Sequence, residues 1–174
     1  MHSPDCFQGS MHLLKSWKNL RANLTADLPD MLQLQEVVDF WSHAPISVRV
    51  LDWDDCASWP TAWNLIYQNK FDESAVSLGM FYTLIYAADG RWNADRLQLQ
   101  LITDRRRCLQ SIVLEVDSSW WLNLEYKQVV DKKMSNMEHT VQQRYGYSNG
   151  DHYLLNYQNM ILPKSIITND NTII

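Results

Sequence analysis

With 174 residues, 15 basic against 20 acidic side chains and a net charge of -5, the chain is sized for one domain and too acidic for general binding along nucleic-acid backbones. Its three cysteines, Cys6, Cys56 and Cys108, are odd in number and far apart, which excludes a disulfide framework or a paired zinc knuckle and fits a reducing compartment. Met1 to Ser10 has no apolar stretch like that of a signal peptide and no run approaches membrane-spanning length, so a soluble protein made in the cytoplasm is expected.

Leu13 to Asn23 places Leu13, Leu14, Trp17 and Leu20 on one side of a short helix, within an N-terminal arm of residues 1–29. After Pro29, Leu34, Val37, Val38 and Trp41 recur at i, i+3, i+4 and i+7, which predicts a helix over Asp30 to Ser42 that Pro45 stops. Ile46 to Trp53 alternates loosely and reads as extended. The acidic run Asp52, Asp54 and Asp55 leads into Trp59-Pro60, where a first-turn proline predicts a short helix reaching Gln68.

Asp72 offers a cap for the strongest helix in the chain. Ala75, Leu78, Gly79, Tyr82, Ile85 and Tyr86 form one face, and Val76, Met80, Phe81 and Leu84 fill much of the rest, the pattern of a helix buried at the centre of a domain. Gly79 costs about 1 kcal/mol relative to alanine in such a helix, which predicts a close approach by another backbone.

From Leu97 to Tyr126 the period changes to two: Leu97, Leu99 and Leu101 alternate with Gln98 and Gln100. The stretch reads as strand, basic turn over Thr103 to Arg107, strand, polar turn at Asp117-Ser118-Ser119, strand. Val129-Val130 and Val141 to Tyr147 add a fourth and a fifth strand. Gly146, Asn149 and Gly150 mark a loop. The fold class is therefore α+β: N-terminal helices and a central buried helix packed on an antiparallel β-meander, in one domain over residues 30–162, with a polar tail at residues 163–174.

This order of elements resembles the transglutaminase-like branch of the papain fold, in which a cysteine begins the central helix, a histidine begins a later strand and an aspartate follows on the next. Over roughly Pro60 to Val130, Ser74 takes the cysteine slot, Ser111 of Ser111-Ile112-Val113-Leu114-Glu115-Val116 the histidine slot, and Trp121-Leu122-Asn123-Leu124-Glu125 the carboxylate slot. The resemblance implies the fold with altered chemistry, because a serine without a base is a poor nucleophile. His43, His139 and His152 are the distant histidines that could approach; His2 and His12 lie near the terminus. A papain-like hydrolase or acyl-transferase using Ser74, Ser111 and Glu125 in altered roles is the alternative reading, and no phosphate loop, nucleophile elbow or paired His-Glu helix motif offers another.

Asp52, Asp54 and Asp55 beside His43 and Cys56 have the donor types of a metal site, but lack the glycine and glutamate of a calcium loop, so a solvated acidic loop capping the next helix is expected, with no metal and no cofactor. Arg105, Arg106 and Arg107 read as a solvent-facing turn that discourages edge pairing, with phosphate contact the lesser reading.

Eight tryptophans and eight tyrosines are many for this length. Trp53, Trp59 and Trp63 crowd one segment, and adjacent Trp120 and Trp121 point to opposite faces of a strand, so one of them needs a second apolar environment, from a covering loop or a partner. The segments Val37-Val38-Asp39-Phe40-Trp41, Trp59-Pro60-Thr61-Ala62-Trp63-Asn64-Leu65-Ile66 and Ser77-Leu78-Gly79-Met80-Phe81-Tyr82-Thr83-Leu84 resemble small proteins of tailed bacteriophages, notably those of marine and cyanobacterial hosts. That resemblance implies a non-enzymatic structural or assembly protein: a virion neck, tail or baseplate component, or a protein acting in the host cytoplasm. Its expected partners are other phage proteins in a symmetric assembly, bound through Trp53, Trp59, Trp120, Trp121, Arg105, Arg106 and Arg107, with neither membrane nor nucleic acid.

Overall fold

Apolar residues at helical spacing in the first half and at strand spacing in the second sort the chain into α1 (Ser10–Asn23), α2 (Asp30–Trp41), α3 (Ala62–Gln68), α4 (Glu73–Ile85), then β1 (Leu97–Asp104), β2 (Leu109–Val116), β3 (Trp120–Glu125), β4 (Gln128–Asp131), β5 (His139–Ser148) and β6 (Asp151–Leu154). The computed structural model describes residues 4–47, 51–135 and 139–155. Among them no helix is long and apolar enough to cross a membrane.

Asp72 caps α4 by accepting from the Ala75 N–H at 2.6 Å, as its position in the sequence predicts. Thr61, rather than the acidic loop, caps α3, accepting from Asn64 N–H. In the loop the Asp54 N–H donates back to Asp52 Oδ1.

The six strands form one antiparallel sheet in the order β4-β3-β2-β1-β5-β6. β1 and β2 pair over their full length, from Leu97↔Val116 to Asp104↔Leu109. The sixth strand lies in the region read as loop: Gly146 belongs to β5, and only Asn149-Gly150 makes the turn, both in the left-handed region (φ 53° and 93°) that a two-residue hairpin requires. A Cβ on Gly146 would sit 2.4 Å from the Tyr153 ring, so the strand carries glycine to admit that ring.

Helix α4 is buried from Ser74 to Leu84 and fills the space behind the meander, against Leu99, Leu101, Ile112, Leu114, Val116 and Leu122. Gly79 does face a close approach, but from the Trp41 indole, whose ring atoms lie 2.4–2.6 Å from the site of a Cβ, and not from another backbone. The N-terminal arm is part of the same core: Phe7, Leu13, Trp17, Leu20 and Leu24 are all buried, and Phe7 meets Phe40, Trp41 and Phe71 ring to ring. Residues 163–174 lie outside the described residues.

The two adjacent tryptophans divide between the sheet's faces. Trp120 packs on the main core, while Trp121 closes a second cluster with Ile102 and Val113, flanked by Val130 and Val141. Both find shelter within the chain. At the start of α2, Asp30 receives Arg91 and Arg96, and these reach on to Asp89 and Asp117, tying the helix end to the sheet.

Candidate functional site

The start of α4, the β1–β2 turn and the end of β3 converge at one end of the sheet around a cavity of about 320 Å³. Trp41, Ile46 and Val76 give it apolar wall; Glu73, Ser111 and Asn123 give it polar lining. The position follows from the topology: β1 and β2 turn back at this end, and the capped first turn of α4 points into the same gap.

Successive helical residues are rotated by about 100°. Glu73 lines the cavity, and Ser77, one turn on, presses against the sheet, its hydroxyl donating to the Ile112 carbonyl at 2.6 Å. Ser74 therefore points elsewhere: it is buried and accepts from Trp53 Nε1 at 3.0 Å. Of these first-turn residues Glu73 lines the cavity, and Ser74, in the helix start as its slot implies, does not.

Asn123 is the residue of β3 that crosses to the helix. It has a left-handed backbone (φ 63°) where the β3–β4 register shifts between Trp121 and Glu125, a conformation asparagine tolerates. Its amide nitrogen donates to the Glu73 carbonyl at 2.7 Å and to Ser77 Oγ at 2.8 Å. Glu125 also lines the cavity, but its carboxylate is held by Arg107 at 3.0 Å. Ser111, at the start of the buried part of β2, also lines the cavity. Sequence reasoning missed Glu73 and Asn123; the available signal was the shared face of Glu73 and Ser77.

The arginine turn divides. Arg107 lines the cavity, while Arg105 borders a shallow hollow with Trp53 and Cys108 on its other flank. Backbone N–H groups of Arg107 and Arg106 hold the Asp104 carboxylate below the usual range, helped by His139 and the Arg107 charge.

None of the described histidines lines the cavity. His43 Nδ1 is bonded to the Asp39 carbonyl at 2.8 Å. His139 lies against Trp121, with Nε2 3.9 Å from Asp104 Oδ2. His152 sits in a box of Trp59, Phe81, Tyr82 and Tyr147, where burial pushes it down to about 4. The nearby Cys56 thiol is pushed up by burial and donates to the His152 carbonyl, the opposite of an activated thiolate. Among the described residues no group of three or more His, Cys, Asp or Glu is placed to hold a metal ion.

Two of the tryptophans expected to meet partners are interior. Trp59 is buried, donating to the Asp52 carbonyl and packed on Tyr145, and Trp121 is buried in the second cluster. Trp53 and Trp120 are half-buried. Exposed aromatic surface is instead found at Trp63 (54% exposed), Tyr67 (77%) and Tyr126 (71%), with Tyr86 and Tyr153 less open.

No protein-family model and no curated protein matches the chain. Among solved structures it is similar to Legionella pneumophila LapG, with a TM-score of 0.64 at 15% identity over 88% of each chain. The calcium-bound form of LapG gives 0.61 at 15% identity over 88% of each chain, and the EGTA-treated form 0.63 at 16% identity over 91% of this chain and 88% of that one. The fold is transglutaminase-like, as the order of elements implies.

Proposed function

We propose that this chain is a non-enzymatic transglutaminase-like domain that uses the cavity at the start of α4 to hold a segment of another protein. The observation that carries this reading is the bonding of Asn123, whose amide ties β3 to the Glu73 carbonyl and to Ser77. The Asn123 N–H groups and the Ser77 hydroxyl are thus spent on holding helix and sheet together. Glu73, Ser111 and Asn123 supply the cavity with an anion, a hydroxyl and an amide, groups that position a ligand but give Ser111 no imidazole to take its proton.

Incubation with casein and with fluorogenic peptide and ester substrates is expected to give no turnover above buffer. Turnover that disappears in Ser111→Ala or Glu125→Ala would instead establish the hydrolase or acyl-transferase reading.

As the setting for this binding we propose assembly with other proteins of a tailed-phage particle, in the host cytoplasm or the virion. Trp63 and Tyr67, one turn apart on the exposed side of α3, are aromatic anchors of the kind that dominate interfaces. Mass spectrometry of purified particles is expected to find the chain at the copy number of a symmetric ring; its absence would favour a protein acting in the host.

A further inference from the structure

We infer that the cavity at the start of α4 selects a cationic side chain, the ammonium or guanidinium of a lysine or arginine on the partner polypeptide; this rests on the binding reading above and names its ligand. Three carboxylates, Glu73, Asp104 and Glu125, and one guanidinium, Arg107, line the cavity. Arg107 is already committed, with Nη2 3.0 Å from Glu125 and Nε 3.7 Å from Asp104, and Asp104 also accepts from the turn backbone. The Glu73 carboxylate has no hydrogen-bond or ion-pair partner among the described residues, so it is the uncompensated charge. The first-turn amide of Ala75 is already answered by Asp72.

The uncommitted polar atoms beside Glu73 can each accept a hydrogen bond. Both N–H groups of the Asn123 amide are used, on the Glu73 carbonyl and on Ser77 Oγ, which leaves its oxygen as the amide's uncommitted polar atom. The Ser111 hydroxyl has no partner among the described residues and completes the set. An anionic ligand would meet Glu73 with no free cation lining the cavity among the described residues. A cationic group on a methylene stem matches both the acceptors and the apolar wall of Trp41, Ile46 and Val76. The volume, about 320 Å³, lies at the small end of ordinary ligand sites.

The test is an NMR titration of the full chain with Nα-acetyl-lysine amide, Nα-acetyl-arginine amide and neutral Nα-acetyl-norleucine amide. The two cations are expected to shift the amides of Glu73, Ser111 and Asn123 and to bind roughly tenfold more tightly than norleucine amide, a charge-assisted hydrogen bond being worth that factor or more. Glu73→Gln, on the exposed first turn, should remove the difference while leaving the circular dichroism spectrum unchanged. Binding of norleucine amide at the same residues with equal affinity would overturn the charge selection and leave the binding reading standing. If no probe shifts these amides, both fall.

Discussion

Thr83→Val is expected to destabilise the protein by about 4 kcal/mol, although valine matches threonine in shape. The Thr83 hydroxyl is fully buried on α4 and accepts from the indole nitrogens of Trp17, on α1, and Trp41, on α2, both at 2.9 Å, while donating to the Gly79 carbonyl at 2.7 Å. One oxygen thereby joins three helices. Valine strands two buried N–H donors, each costing roughly 1–3 kcal/mol when left unsatisfied. The loss is a large part of a domain stability of about 5–15 kcal/mol. Thr83→Ser keeps the hydroxyl and loses one methyl group, so its cost should be nearer 1 kcal/mol. Urea unfolding followed by tryptophan fluorescence measures both. Equal costs for the two variants would mean that the hydroxyl contributes only its packing volume.

The second large effect is acid sensitivity from His152. It is 6% exposed, enclosed by the rings of Trp59, Phe81, Tyr82 and Tyr147, and burial lowers it from the usual 6.5 to about 4 against a smaller upward pull from the Gly146 backbone. Between these two values the unfolded chain binds a proton that the folded chain refuses. The contribution is therefore complete above about pH 6.5, falls as the pH drops toward 4, and changes no further below that. The expected loss is about 3 kcal/mol, at 1.36 kcal/mol per unit. His152→Phe retains a ring of similar size for the aromatic box and cannot take up the proton. Its stability should be flatter than that of the parent between pH 7 and pH 4 by that amount. Parallel pH profiles for the two proteins would remove His152 as the cause.

The readings that came through the sequence were those with a local cause. The spacing of Leu34, Val37, Val38 and Trp41 is that of α2, and Asp72 marks the start of α4, because a cap and an apolar stripe are set by residues within a few positions of one another. The alternation of Leu97, Leu99 and Leu101 identifies the face of β1 that meets α4. Other readings failed where the cause was distant. Trp59 looked like surplus aromatic surface until the loop carbonyl of Asp52 and the ring of Tyr145 supplied its partners, the latter 86 residues away. Strand β6 was hidden because its pattern is four residues long and its evidence is the pairing with β5.

What the sequence determined by itself was the order and type of the main elements, because hydrophobic period, capping and turn chemistry act over a few residues. It also has serines, Ser74 and Ser111, at the two positions where the resemblance to the transglutaminase-like order leads one to expect cysteine and histidine. Tertiary structure decided which side chains share the cavity. Ser74 and Glu73 are neighbours in sequence, but the rotation of α4 against the sheet gives Glu73 to the cavity and Ser74 to Trp53. Asn123 reaches α4 from the point where the β3–β4 register shifts, a pairing irregularity between strands that no pattern within β3 encodes.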